Sequence, residues 1–247
     1  MPTVGWPGSS ASEPPEIQGL GCYFVPPQPP LPQTWNYRVK MSASRTGRLV
    51  IVSGPSGVGK TTVMRRVFER CPVPLLASVS ATTRPPRPGE VDGVDYHFLT
   101  KQEFELRRKR GEFLECFEVF GRGHWYGTLR SEVTSGLAAG KWVVLRIDVQ
   151  GALRVMQQHA DAVTIFVQPG SLEQLERRLR SRGTETQQAI EQRLRQAERE
   201  LGQADRYRFQ VVNDDLDQAV EQICDILSQE WETDQDAGGP SGRGNRQ

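Results

Sequence analysis

One octapeptide constrains this chain more than any other feature: Gly54-Pro55-Ser56-Gly57-Val58-Gly59-Lys60-Thr61, set directly behind the apolar run Leu49-Val50-Ile51-Val52. It matches the phosphate-binding pattern G-x-x-x-x-G-K-[ST], with a buried-looking strand before it and a helical stretch, Thr61 to Arg70, after it. The glycines let backbone N–H groups close around phosphate oxygens. The new helix turns its positive dipole end to the same anion. Lys60 is placed to reach the β- and γ-phosphates of a nucleotide, and the Thr61 hydroxyl to join a Mg2+ shell. A Gly-rich turn with an incidental lysine would leave the Gly-Lys-Thr order unexplained.

Hydrophobic residues make up 36% of the 247-residue chain, a little low for a wholly globular protein, so part of it is expected to stay unpacked. The ends supply the deficit. Residues 1–46 hold more than half of the 17 prolines, and residues 232–247 are polar and Gly-rich. Both segments are expected to be disordered, because neither can bury enough apolar surface to offset chain entropy. The ordered domain is then 47–231. Met41 opens Met-Ser-Ala-Ser-Arg-Thr just before the first strand and reads as a second candidate start, which would make the extension dispensable.

The formal net charge of +1 carries no footprint for nucleic acid. The basic run Arg107 to Arg110 reads as a solvated helix face. The four cysteines are far apart in sequence and match no metal spacing, so reduced thiols are expected. No stretch approaches the apolar length of a membrane span, and no secretory or transit signal opens the chain. These features point to a cytoplasmic protein, with no protein partner implied.

Along the chain, apolar strands alternate with helical stretches. Strands are expected at 49–52, 75–80, 142–147, 162–167 and 209–212. Helices are expected at 61–70, 129–139, 149–158, 172–182, 187–201 and 216–228. That rhythm predicts an α/β fold with a parallel sheet covered by helices on both faces. The rhythm breaks between about 81 and 128. A Pro/Arg loop (81–90), short strands near 96–99 and 112–120 and a charged helix (101–110) read there as an inserted, mostly-β lobe.

Several residues outside the loop carry chemistry. Arg84 and Arg87 stand three apart in a proline-stiffened loop, and arginine matches phosphate bidentately. Ser80 and Tyr96 add hydroxyl donors. A carboxylate such as Glu115 can accept from guanine N1–H and N2–H2 together, an edge that adenine lacks, so one glutamate can select the base. Arg178, Arg182 and Arg193 lie on two helices around Gly183-Thr184. Arginines on such a hairpin can close over a nucleotide and neutralise a migrating phosphoryl group.

Taken together, these motifs resemble the guanylate kinases. The resemblance rests on GPSGVGKTT (54–62), SATTRPPRPGE (80–90), DGVDYHF (92–98), FLE (113–115), WYGT (125–128), IDVQGA (147–152), RLRSRGTET (178–186) and VVNDDLD (211–217). It implies a P-loop NTPase core, a GMP-binding lobe at about 81–128 and an arginine lid at about 180–203. The implied reaction is Mg2+-dependent phosphoryl transfer from ATP to GMP. By the same resemblance, the 54–62 segment including Thr62, with Asn213, would hold ATP. Ser80, Arg84, Arg87, Tyr96 and Tyr126 would hold the GMP phosphate, and Glu115 and Thr128 would read guanine. Lys60, Arg178, Arg182 and Arg193 would serve the transfer, Thr61 the metal, and Asp148 the metal's water shell or the guanine side.

The chain departs from the family pattern in three places. Trp125 stands where a tyrosine or another aromatic is usual. The segment between Glu115 and Tyr126 is about two residues longer, which makes Glu118 a rival for Glu115. Arg146 replaces the first aspartate of the usual D-x-D that ends at Asp148, and it is expected to turn toward an acidic neighbour or the nucleotide phosphates. Two other readings stay open at this stage: a related P-loop kinase with another acceptor, such as a ribose phosphate, and a non-catalytic guanylate-kinase-like module.

Overall fold

A computed structural model describes residues 47–118, 123–181 and 186–237. The expected extension 1–46 and the tail beyond 237 lie outside them. Strand β1 (Leu49–Ser53) is buried along its whole length. Its side chains alternate between two apolar layers, as strand geometry requires. Val50 and Val52 face α1 (Lys60–Arg70) and α7 (Leu216–Ala237), where Val63, Met64, Val67, Val220, Ile223 and Leu227 complete one core. Leu49 and Ile51 face α3 (Arg130–Ala138) and α4 (Val149–Gln158), where Val133, Val149, Ala152 and Val155 complete the other. A strand buried on both faces has no polar side to show, which is why its sequence is continuously apolar. Each fully buried aliphatic side chain contributes about 1.5–3 kcal/mol.

The main sheet runs in the order β2-β7-β1-β8-β9, all parallel: β2 (Leu75–Ala77), β7 (Trp142–Arg146), β8 (Val163–Gln168) and β9 (Phe209–Val212) around β1. A separate four-stranded sheet, β4-β3-β6-β5, forms the lobe. Its strands are β3 (Ser80–Thr82), β4 (His97–Phe98), β5 (Phe113–Glu118) and β6 (Trp125–Leu129), covered by α2 (Lys101–Lys109). Phe104 and Phe113 stack at 4.4 Å in its core. Helices α5 (Leu172–Arg180) and α6 (Gln187–Leu201) make a third, smaller apolar unit from Leu175, Leu179, Ile190 and Ala197.

Three details differ from the sequence reading. The expected strand 75–80 is two strands in two sheets. The Ser78 N–H closes the β2–β7 ladder on the Val144 carbonyl (3.0 Å), and the chain then leaves for the lobe. Strand β6 is a strand that the residue pattern did not announce, because Gly127 interrupts it. A Cβ at Gly127 would stand 2.8 Å from the Phe113 ring, so close strand packing excludes any larger side chain. Helix α7 continues through Ala237, past the expected domain end at 231. Trp231 packs edge-on against Trp142 (5.3 Å), and Glu230 is held by Arg48 (3.2 Å) and Arg208 (2.6 Å), which anchors that last stretch.

Gly54 ends β1 with φ +141°, and a Cβ there would lie 2.0 Å from the Val167 carbonyl oxygen of β8. Gly54→Ala must therefore distort the loop or push β8 away. Thermal denaturation should show a loss of roughly 2–4 kcal/mol, a fall in Tm of roughly 5–15 °C. An unchanged Tm would mean that the loop does not press on β8.

Candidate active site

The loop from Gly54 to Gly59 joins the C-terminal end of β1 to α1. β1 lies between β7 and β8, so this is the point where the strand order reverses and where open α/β sheets hold ligands. Gly59 caps α1 without a side chain, leaving the first-turn N–H groups open to a ligand. Two residues brace the loop from outside. Asn213, after β9, donates Nδ2 to the Val58 carbonyl (2.7 Å). Arg178 of α5 donates Nη1 to the same carbonyl (3.1 Å) and Nη2 to the Asn213 carbonyl (2.8 Å).

Lys60 Nζ donates to the carbonyls of Gly54 (2.5 Å) and Pro55 (3.0 Å). Burial pulls its pKa down to about 8, while the charges of Glu200 and Asp148 pull it up. The ammonium thus stays protonated at neutral pH because two carboxylates face it. Glu200 sits buried on α6, accepts from Gln196 Nε2 (3.0 Å) and reaches the backbone N–H of Ser56. Asp148 is the N-cap of α4: its Oδ1 accepts from the Gly151 N–H at 2.7 Å. Its side chain is therefore also a helix cap, a duty beyond its expected acidic role.

The lobe holds a second cluster. Thr128 of β6 and Glu115 of β5 are directly opposite in the ladder, and Thr128 Oγ1 donates to Glu115 Oε1 at 2.7 Å. Burial pushes the Glu115 carboxyl up to about 7, Thr128 opposes that shift, and the Asp148 charge adds to it. Glu115 Oε2 also lies against α4, where a Cβ on Gly151 would stand 2.9 Å from it. Glu118 is exposed and accepts from the Gly123 N–H (2.7 Å), so the rival carboxylate points away from Thr128. A register shift between Phe113 and Glu115 puts Glu115 opposite Thr128.

Arg84 donates Nε to the Tyr126 hydroxyl (3.1 Å), Nη2 to Glu90 (2.9 Å) and Nη1 to the Pro85 carbonyl (2.7 Å). Its guanidinium also lies 5.5 Å from the centre of the Tyr96 ring. Tyr96 and Tyr126 meet edge to face at 5.8 Å. Ser80 pairs with Thr128 across β3–β6, while Arg87 is exposed and its N–H donates to Glu90 (2.7 Å).

Most of the expected site residues therefore fall into two neighbouring clusters, one around the P-loop and one in the lobe. Thr61 and Thr62 stand in the first turn of α1, exposed beside Lys60. Arg193 is half-buried on α6. Arg182 lies outside the described residues. Trp125 packs on Phe104 (6.1 Å) beneath Arg108 (5.2 Å), inside the lobe and on the strand face opposite Tyr126. Sequence reasoning missed Glu200 and Glu90. Glu200 had one usable signal: Ile190, Arg193, Ala197 and Glu200 recur on one helical face, the face that packs inward.

A five-stranded parallel sheet in this order, a P-loop at its switch point and an inserted four-stranded lobe with its own arginine, tyrosine and glutamate cluster define a P-loop kinase of the nucleotide-phosphorylating class. The family description "Guanylate kinase" matches residues 46–230. A guanylate kinase of Rhodopirellula baltica is 55% identical over 188 residues, covering 76% of this chain and 90% of that protein. One of Gloeobacter violaceus is 53% identical over 194 residues, covering 78% and 92%. The crystal structure of guanylate kinase from Anaplasma phagocytophilum superposes with a TM-score of 0.62 at 33% identity, covering 76% of this chain and 87% of that one. The chain belongs to the guanylate kinase family.

Glu200 is the largest charge compensating the burial of Lys60, which leads to a pair of expected outcomes. Lys60→Ala should lower turnover by about 100- to 1000-fold, the scale of one transition-state contact at ~3–4 kcal/mol. Glu200→Gln should shift the alkaline limb of the pH–rate profile to lower pH, because less charge then holds Lys60 protonated. Its turnover at pH 8 should fall roughly three- to tenfold. An unmoved alkaline limb in Glu200→Gln would separate Glu200 from Lys60.

Proposed function

We infer that the chain transfers the γ-phosphoryl group of ATP to GMP, giving ADP and GDP, as its family membership implies. The observation that carries this reading is the buried Glu115–Thr128 pair, set one helix turn of α4 away from the P-loop side of the cleft. An ionised Glu115 accepts the N1–H and N2–H2 donors of guanine, and Thr128 holds the carboxylate in place. Adenine offers one donor and a bare acceptor at that edge and would leave a buried charge unpaired. Ser80, Arg84, Arg87, Tyr96 and Tyr126 take the acceptor's phosphate.

The P-loop N–H groups and Lys60 hold the donor phosphates, braced by Asn213 and Arg178. Arg193 and Arg182 of the lid complete the positive charge around the migrating group. The acceptor's own phosphate oxygen is the nucleophile, so in-line transfer requires no covalent intermediate. What the protein contributes is positioning and charge neutralisation. No group of three or more acidic, histidine or cysteine side chains forms a metal cage among the described residues. The oxygen of Thr61 beside the P-loop nevertheless fits Mg2+, which keeps several waters and leans on substrate phosphates. When bound there, Mg2+ would neutralise phosphate charge. The Pro-rich extension is proposed to lie outside the catalytic domain. No helix among the described residues is long and apolar enough to cross a membrane.

The pH dependence follows from two groups. Glu115, at about 7 in the nucleotide-free chain, must be ionised to accept from guanine, so kcat/KM for GMP rises as pH climbs through 7. Lys60, at about 8, must be protonated, so the same quantity falls above 8. The profile from pH 5.5 to 9.5 should be bell-shaped. In Glu115→Gln the acid limb should disappear, with GMP use falling at least tenfold and ATP binding little changed. Glu118→Gln should behave as the unmodified protein. If Glu118→Gln removes the acid limb instead, guanine is read three cross-strand pairs away, at the Glu118–Trp125 position.

A further inference from the structure

Arg146 ends β7 in register with Val52, at the same edge of the sheet as the P-loop. It is half-buried, and its Nε is fully buried with no hydrogen-bond partner. No carboxylate pairs with it among the described residues, so the expected acidic neighbour is absent. Two other partly buried arginines differ. Arg84 is matched by Glu90 at 2.9 Å, and Arg48 is matched by Glu230 at 3.2 Å. A buried N–H without an acceptor is costly, and an anion at the exposed part of the guanidinium can complete it.

The side of the cleft that Arg146 serves follows from its neighbour. Its positive charge acts on the phenol of Tyr96, which belongs to the lobe and touches Tyr126. Arg84 reaches the same two tyrosines. The donor phosphates sit at the P-loop, where Lys60 already has two carboxylates facing it. Arg146, Arg84, Tyr96 and Tyr126 thus form a concentration of donors, and among the described residues Glu90 is the one carboxylate bonded to it.

We propose that Arg146 is an additional phosphate-contact residue of the acceptor site, donating to the phosphate of the nucleoside monophosphate where a carboxylate is usual in the D-x-D pattern. This rests on the reading of the cleft as a GMP site. It deepens that reading by assigning to this chain a cation that the family pattern does not supply. The consequence is specific: Arg146 should strengthen the grip on the phosphate of the acceptor, without changing base selection or the grip on ATP. With Arg146 in that place, Asp148 is the one carboxylate of the pattern left to face Lys60.

Titration calorimetry of the full chain with GMP, AMP and guanosine tests this, using Arg146→Gln and the charge-keeping Arg146→Lys. Arg146→Gln should weaken GMP about tenfold or more, the scale of one charge-assisted hydrogen bond. Guanosine binding and the KM for ATP should stay within about twofold, and Arg146→Lys should recover part of the loss. Equal losses for GMP and guanosine, or for GMP and ATP, would overturn the proposal, as would an unchanged GMP affinity. A Tm measurement identifies a variant that is merely unfolded; if Arg146→Gln unfolds, a folded Arg146→Lys with unweakened GMP binding overturns the proposal. AMP separates the two ideas. If the unmodified protein binds AMP as well as GMP, and both depend on Arg146, the phosphate contact stands and the guanine reading falls.

Discussion

The site depends on keeping one ammonium charged in a place that disfavours charge. Lys60 is withdrawn from bulk water into the P-loop, where it ties the loop to itself through the Gly54 and Pro55 carbonyls. Burial alone would strip its proton. The opposing charges come from two distant segments, Asp148 at the start of α4 and Glu200 near the end of α6. The loop is therefore not self-sufficient. Its lysine is a working cation because the rest of the fold brings two carboxylates to it, and its backbone keeps its shape because Asn213 and Arg178 hold the Val58 carbonyl.

The same carboxylates connect the two ends of the cleft. Asp148 stabilises the charged form of Lys60 and disfavours the charged form of Glu115, so one side chain acts on both. Its position is set by its role as the cap of α4. The first turn of α4, through Gly151, also touches Glu115. A nucleotide that supplies hydrogen-bond donors to Glu115 would relieve the repulsion from Asp148. A nucleotide that supplies phosphate to Lys60 would add negative charge on the other side. In the proposed reading, base recognition and phosphate handling would thus be coupled through one helix terminus rather than through a long path.

Much of this was legible in the chain. The P-loop announced itself because its geometry requires small residues at fixed positions, and because the strand before it is buried on both faces. The alternation of apolar runs and helical stretches gave the parallel sheet for the same reason. The lobe was legible as a break in that rhythm. Less legible were β6, hidden by the glycine that close packing demands, and the division of 75–80 between two sheets. The end of α7 was also hidden, because Trp231 and Glu230 are anchored by Trp142, Arg48 and Arg208, residues far away in sequence.

The sequence by itself determined the class of fold, the phosphate loop and the types of residue available to a guanine and its phosphates, since local pattern and side-chain chemistry are properties of the chain alone. Only the tertiary structure decided where each carboxylate stands. A register shift in β5 set Glu115 against Thr128, while Glu118 stands opposite Trp125. The inward face of α6 brought Glu200 to Lys60, and among the described residues no acceptor reached the buried Nε of Arg146. The reason is physical. Burial and the proximity of opposite charge are pairwise properties of residues far apart in sequence, so they have no value until the sheet and helices have assembled.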